Sequence, residues 1–337
     1  MIRHALRTLA LVLITFASLP AVAETLRIAT YNTELGRKGP GILLRDLQRG
    51  KDPQIAAVID TIIKANPHII ALQGVDYDLE GRALDALAAR LQEAGAPYPF
   101  VFAAPPNAGM RTDLDLDGDG RRGGPGDAQG YGRFFGAGSM AILSRFPILT
   151  DQVADYSTML WRNIPDALLP ETAQGTPFPS AAAQAVQRLS SHGHWVVPID
   201  HPSLGVVSVL TFHASPPVFD GPEDRNGRRN HDEVMFWAHL IDGRIGRITN
   251  RPFVLVGDAN LDPERGDGRS EAIQHLLRHP ALQDPLPGQP TVLWDQTGPM
   301  RVDYVLPTVD LTVHRAGITP ANPMASRHRL VWVDVGR

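Results

Sequence analysis

Short apolar runs set the strongest limit on how this chain can fold. They lie at Leu26–Tyr31, Ile69–Leu72, Met140–Leu143, Trp195–Ile199, Val206–Phe212, Phe253–Val256, Val302–Leu306 and Leu330–Val335. Runs of about four to eight such residues, bounded by turn formers, read as buried strands. Helical periodicity fills some of the gaps. Ile55, Val58, Ile59, Ile62 and Ile63 share one face, and Leu84–Leu91 and the stretch from His231 to Ile248 repeat the pattern. Ser270 stands where an N-cap would precede Ile273, Leu276 and Leu277. Strands and helices do not alternate strictly, which favours a layered α+β fold over a Rossmann sheet or a (β/α)₈ barrel. No repeat and no Gly/Ser linker divides the chain, so residues 24–337 are expected to form one domain.

The first residues address location. A basic start (Arg3, His4, Arg7) leads into an apolar run from Leu9 to Leu19, then Ala21-Val22-Ala23 before Glu24. This is the pattern of a secretory signal over 1–23 with cleavage after Ala23. The run is shorter than the ~20 apolar residues a membrane span requires. A periplasmic or secreted protein is therefore expected, with no stable membrane insertion. The chain has no cysteine, so an exported fold must be held without disulfides, by packing alone or by packing and metal. The formal charge is −4, and only Lys38, Lys51 and Lys64 are lysines. That balance does not suit a broad electrostatic grip on nucleic acid. It suits a phosphate substrate better when cations are bound.

The residues after each apolar run carry the chemistry. Asn32 and Glu34 come after Leu26–Tyr31. Gln73, Asp76 and Asp78 come after Ile69–Leu72. His213 succeeds Val206–Phe212, and Asp258 and Asn260 succeed Phe253–Val256. Asp303 lies within Val302–Leu306, and His328 lies just before Leu330. A lone Asp at a strand end is usually a turn residue. Six such ends together point to a site built at one sheet edge on a rigid scaffold.

These stretches are "RIATYNTEL" (27–35), "PHIIALQGVD" (67–76), "LTFHASPP" (210–217), "VLVGDANLDP" (254–263), "RVDYVLP" (301–307) and "SRHRLVWVDV" (326–335). In order and content they resemble the endonuclease/exonuclease/phosphatase superfamily, whose members include pancreatic-type deoxyribonucleases and bacterial sphingomyelinases. The resemblance implies a four-layer α/β sandwich, deoxyribonuclease I-like, with two facing, mainly antiparallel sheets flanked by helices. It implies hydrolysis of a phosphate ester with a divalent cation, Mg or Mn. By match, Asn32 is the site asparagine, and Asp258 and Asn260 are the family's Asp-x-Asn pair. Asp303 is the carboxylate that holds the catalytic histidine, His328 is that histidine, and His213 is a second one.

The residue types fit that chemistry on their own terms. His328 can take a proton near neutral pH, and a carboxylate such as Asp303 would fix its tautomer. Asp258 and Asn260, two apart on an extended backbone, are expected to face the same way. Two positions depart from the family pattern. Gly74 replaces the usual metal glutamate, so Asp76, or else Glu34, is the expected substitute ligand. Arg327 replaces the usual aspartate before the last histidine, and its planar fork could contact phosphate. The departures keep open a second possibility, a catalytically weakened binding protein on the same scaffold.

Two further segments stand out. "DLDLDGDGRRGG" (113–124) sets Asp113, Asp115, Asp117 and Asp119 on alternate positions with Gly118 in sixth place. This is the first half of a calcium loop. Gly124 stands where the closing Glu would be, and Asp127 is a candidate to close the site instead. "PPVFDGPEDRNGRRNHDEV" (216–234) comes after His213 and offers Arg225, Arg228, Arg229 and Asn230 as phosphate contacts, or as a salt-bridged helix start. The expected partner is a phosphate ester, whether nucleic acid, lipid headgroup or small molecule. No protein partner is expected.

Overall fold

Hydrogen-bond pairing divides the apolar runs between two sheets in the computed structural model, which describes residues 25–337. The expected signal segment lies outside the described residues. The strands are β1 (Leu26–Asn32), β2 (Ile69–Val75), β3 (Phe100–Phe102), β4 (Ser139–Ser144), β5 (Ala154–Asp155), β6 (His194–His201) and β7 (Gly205–His213). They continue with β8 (Phe253–Asp258), β9 (Val292–Trp294), β10 (Gly298–Met300), β11 (Asp303–Pro307), β12 (Thr312–Ile318) and β13 (Val331–Gly336). The helices are α1 (Ile42–Arg49), α2 (Pro53–Ala65), α3 (Arg82–Glu93), α4 (Ala181–Val186), α5 (Arg225–Ile241) and α6 (Glu271–Leu277). One sheet has the order β12-β13-β1-β2-β4-β3, and the other β11-β8-β7-β6-β5. Strands β9 and β10 form a separate hairpin.

Strand alternation builds the layers. Leu26, Ile28, Ile69, Ala71, Val207, Val209, Val254, Val256, Val305, Val331 and Val333 meet in one core between the sheets. The alternate residues Ala29, Tyr31, Ile70 and Leu72 pack beneath α1, α2 and α3. Leu210, Phe212, Phe253 and Leu255 pack beneath α5 and α6. The result is helix, sheet, sheet, helix, as the resemblance implied. Each fully buried aliphatic side chain is worth about 1.5–3 kcal/mol, which is how a chain without disulfides holds together.

The same alternation delivers the polar residues. Along β1 the inward column runs Leu26, Ile28, Thr30, Asn32, and along β7 it runs Val207, Val209, Thr211, His213. Strands β1 and β2 are parallel, so their C-terminal ends share an edge, and antiparallel β13 brings its N-terminal end there too. Strands β7 and β8 are likewise parallel, with β11 antiparallel to β8. Asn32 pairs with Gln73, and Asp258 pairs with both His213 and Asp303.

Several elements differ from expectation. Helix α5 starts at Arg225 and ends at Ile241, earlier than the periodicity from His231 to Ile248 suggested. Ser270 occupies the N-cap position of α6 but makes no capping bond. Strand β12 carries no apolar run because it lies at a sheet edge, where none of its residues is fully buried.

Packing beneath α5 makes a pH prediction. His194 is buried against Phe212, Phe236 and Trp237. Burial lowers its pKa from the ordinary 6.5 to about 4. The unfolded chain therefore takes up the proton first as pH falls. This stability is fully present above 6.5, declines below it, and is gone below about 4. At ~1.36 kcal/mol per pKa unit the loss is about 3 kcal/mol. Urea unfolding across this range should show a steeper acid loss in the wild type than in His194→Gln.

Candidate active site

At the shared edge, His328 Nδ1 lies 3.0 and 3.2 Å from the two Asp303 carboxylate oxygens. It lies 3.9 Å from Asp258 Oδ2. That same oxygen accepts from Asn32 Nδ2 at 2.9 Å and sits 3.5 Å from His213 Nε2. Asn32, His213, Asp258, Asp303 and His328 are all buried, so five side chains from five segments converge at one place. Ser326 ties the last segment down: its hydroxyl donates to Asn32 O at 2.8 Å and accepts from His328 N at 3.1 Å.

The electrostatics arise from crowding. Burial and the Asp303 charge push the Asp258 carboxyl up to about 7. Burial alone would depress the His328 imidazole, but Asp303 and Asp258 outweigh it and raise the group to about 9. Burial, with His192 and His328 nearby, holds His213 well below its ordinary range, so it is neutral at pH 7. Asp258, Asp303 and His328 bring ligand atoms within 4.8 Å of one another. Two hard carboxylate donors with too little positive charge between them fit a divalent cation.

The substitute metal ligands expected from sequence do not join this cluster. Asp76 turns away: its oxygens accept from Gly138 N and Arg37 N, both at 2.9 Å. Glu34 pairs with Arg327 instead. Its oxygens accept from Arg327 N and Nε, both at 2.8 Å, and from Arg327 Nη2. Burial works against the Glu34 charge, yet the bonds from Arg327 hold its carboxyl below the ordinary value. Gly74 has φ 72°, and a Cβ there would fall 2.6 Å from Asn32 Oδ1. In this backbone no side chain fits where the family pattern has its glutamate.

Three other expected contacts sit elsewhere. Strand β8 ends at Asp258, and Asn260 is left-handed (φ 48°), so the two do not share an extended face. Instead Asn260 N donates to Asp258 Oδ1 at 2.8 Å, and its side-chain amide donates to Ala214 O at 2.9 Å. Asn230 is fully buried, its amide donating to Ser215 O and Ala259 O, so it supports two strand tips rather than lining the rim. Arg225 donates to Gln187 Oε1 and feels the charges of Asp117, Asp220, Glu223 and Asp127, which places it at the acidic loop. In that loop Asp115, Asp117 and buried Asp127 form a second cluster, while Asp113 and Asp119 stay outside it.

The sequence gives no signal for Trp294. Its ring stands 5.3 Å from the His328 ring, edge to face, and the Arg327 guanidinium lies 4.5 Å over it. His192 is a second residue that sequence reasoning missed. It stacks on His213 at 4.0 Å, and Nδ1 lies 3.0 Å from His213 O.

Two packed sheets, helices outside and a buried His–Asp pair at one edge define the deoxyribonuclease I-like class. A model of the Endonuclease/Exonuclease/phosphatase family matches residues 29–328, and the chain belongs to that family of phosphoester hydrolases. No curated protein matches. Among solved structures, an endonuclease/exonuclease/phosphatase from Beutenbergia cavernae DSM 12333 is 20% identical with TM-score 0.57, covering 93% of this chain and 71% of that one. A family protein from Leptotrichia buccalis C-1013-b is 16% identical with TM-score 0.53, covering 93% and 100%. Sphingomyelinase C from Streptomyces griseocarneus is 15% identical with TM-score 0.52, covering 92% and 99%. At these identities the likeness is one of fold.

Proposed function

We propose that this chain is an exported hydrolase that cleaves a phosphate ester with a divalent cation, Mg or Mn, and with His328 moving the proton. The supporting observation is the buried His328–Asp303 pair opening onto Asp258 and Asn32. Asp303 engages Nδ1, and a cation held by Asp258 and Asp303 would offset the carboxylate charges that keep His328 protonated, so that Nε2 can take a proton from the attacking water. Neutral His213 can donate to a phosphoryl oxygen from Nε2. Asp258 and Asp303 would hold the cation. When bound, that ion polarises a phosphoryl oxygen and offsets charge developing in the transition state. The His–Asp pair also favours hydrolysis over binding alone, since binding needs no group that moves a proton. Hydrolysis of a model diester, a monoester and plasmid DNA with Mg²⁺, Mn²⁺ and Ca²⁺ tests the proposal. No turnover of any of them would contradict it. Export of residues 24–337 as one domain, after cleavage of 1–23, belongs to the same proposal. No helix among the described residues is long and apolar enough to cross a membrane.

Arg327 is proposed as the phosphate contact at the rim. It is 59% exposed and can turn from Glu34 toward a substrate anion. Arg327→Ala should raise KM about tenfold while kcat changes less than about twofold. Steady-state kinetics checks this; an unchanged KM would leave Arg327 only as the partner of Glu34.

Calcium is proposed for Asp115, Asp117 and Asp127. Three crowded carboxylates repel unless a cation lies among them. Chelation should make the 105–135 segment more susceptible to protease. Equal resistance with and without chelator would count against calcium there.

A further inference from the structure

Helix α5 carries a buried carboxylate that the proposed chemistry does not use. Glu233 is 0% exposed. Its Oε1 accepts from Ser191 N at 2.5 Å, and Oε2 accepts from Ser215 N at 2.7 Å and Ser215 Oγ at 2.6 Å. Arg229, one turn earlier, favours the Glu233 charge but forms no direct salt bridge with it. That guanidinium donates to the carbonyls of Leu189, Gln129, Arg188 and Ser190. A buried carboxylate without an ion pair is costly, so its hydrogen bonds must be fully made.

The groups it holds bracket His213. Ser215 lies two residues beyond it. Ser191 Oγ donates to His213 O at 3.1 Å, and the neighbouring His192 stacks on the His213 ring. Asn230, one turn before Glu233, spans Ser215 O and Ala259 O at 2.8 and 2.7 Å, so it joins the tips of β7 and β8. We infer that Glu233 is a positioning residue: from α5 it clamps the two loops that set His213 against Asp258. This rests on the proposal that the Asp258–Asp303–His328 cluster is hydrolytic.

Glu233→Gln preserves volume but turns an NH₂ group toward a backbone N–H. The test measures kcat and KM on bis(4-nitrophenyl) phosphate and records the imidazole NMR resonances of His213, well below the melting temperature. The clamp predicts a folded variant with kcat down about tenfold or more, KM changed less than about twofold, and shifted His213 resonances. Unchanged kcat per folded molecule, or unmoved His213 resonances, would overturn it. Should Glu233→Gln fail to fold, Ser215→Ala removes one donor only. Its kcat should fall about twofold to threefold with a smaller His213 shift, and wild-type values for both would overturn the clamp. If wild-type enzyme does not hydrolyse this diester, the kinetics are read on the monoester or plasmid DNA instead; turnover of none of the three means that the hydrolase proposal fails, while the resonances still decide whether Glu233 sets His213.

Discussion

His328→Ala is expected to lower kcat on a model phosphodiester by about 10²–10⁴-fold, the range for losing a positioned acid–base group. The loss should fall on kcat, because His328 is 3% exposed and lies against Asp303 and Asp258 rather than at the rim where Arg327 sits. Asp303→Asn should act in the same direction, since it removes the carboxylate that fixes Nδ1 and that would hold the cation. The check is kcat and KM for both variants beside circular dichroism. Wild-type kcat in a folded His328→Ala variant would remove the proposed proton-transferring group.

The second large effect is structural and reaches the same centre. Gly257 precedes Asp258 and pairs with Phe212 across β7 and β8. Its φ is 152°, and a Cβ there would lie 2.3 Å from Phe212 O, a backbone atom that cannot swing aside. Gly257→Ala should destabilise the fold by about 3 kcal/mol, combining overpacking with backbone strain. It should also depress activity in the folded fraction, because β8 must move away from β7 and carry Asp258 with it. Urea unfolding and kinetics below the transition check both parts. A variant as stable and as active as wild type would show that the close approach can relax at no cost.

How much of this was legible in the sequence depends on where the chain stays extended. Asn32, His213, Asp258 and Asp303 reach the shared edge because each lies on a strand, where alternation fixes direction. Past the strand ends that rule fails. Glu34, Gly74 and Asn260 all have positive φ, at 50°, 72° and 48°. The left-handed turn at Glu34 lets it meet Arg327, and the one at Asn260 redirects its amide to Ala214. The bulge in β2 near Gly74 sends Asp76 toward Gly138. No spacing rule announces such turns in a non-glycine residue. Trp294 was illegible for another reason: β9 and β10 have three residues each, too few for a periodic signal. Glu233 was hidden in a stretch rich in charge, 216–234, where a solvated carboxylate is the ordinary expectation.

The most direct test of the central claim is hydrolysis in water enriched with ¹⁸O. Water activated beside His328 attacks phosphorus, so the label should appear in the phosphate product, and His328→Ala should slow the formation of labelled product by about 10²–10⁴-fold. Label found in the released alcohol, or labelled product formed by the His328→Ala variant at the wild-type rate, would contradict a phosphoryl-transfer centre at these strand tips.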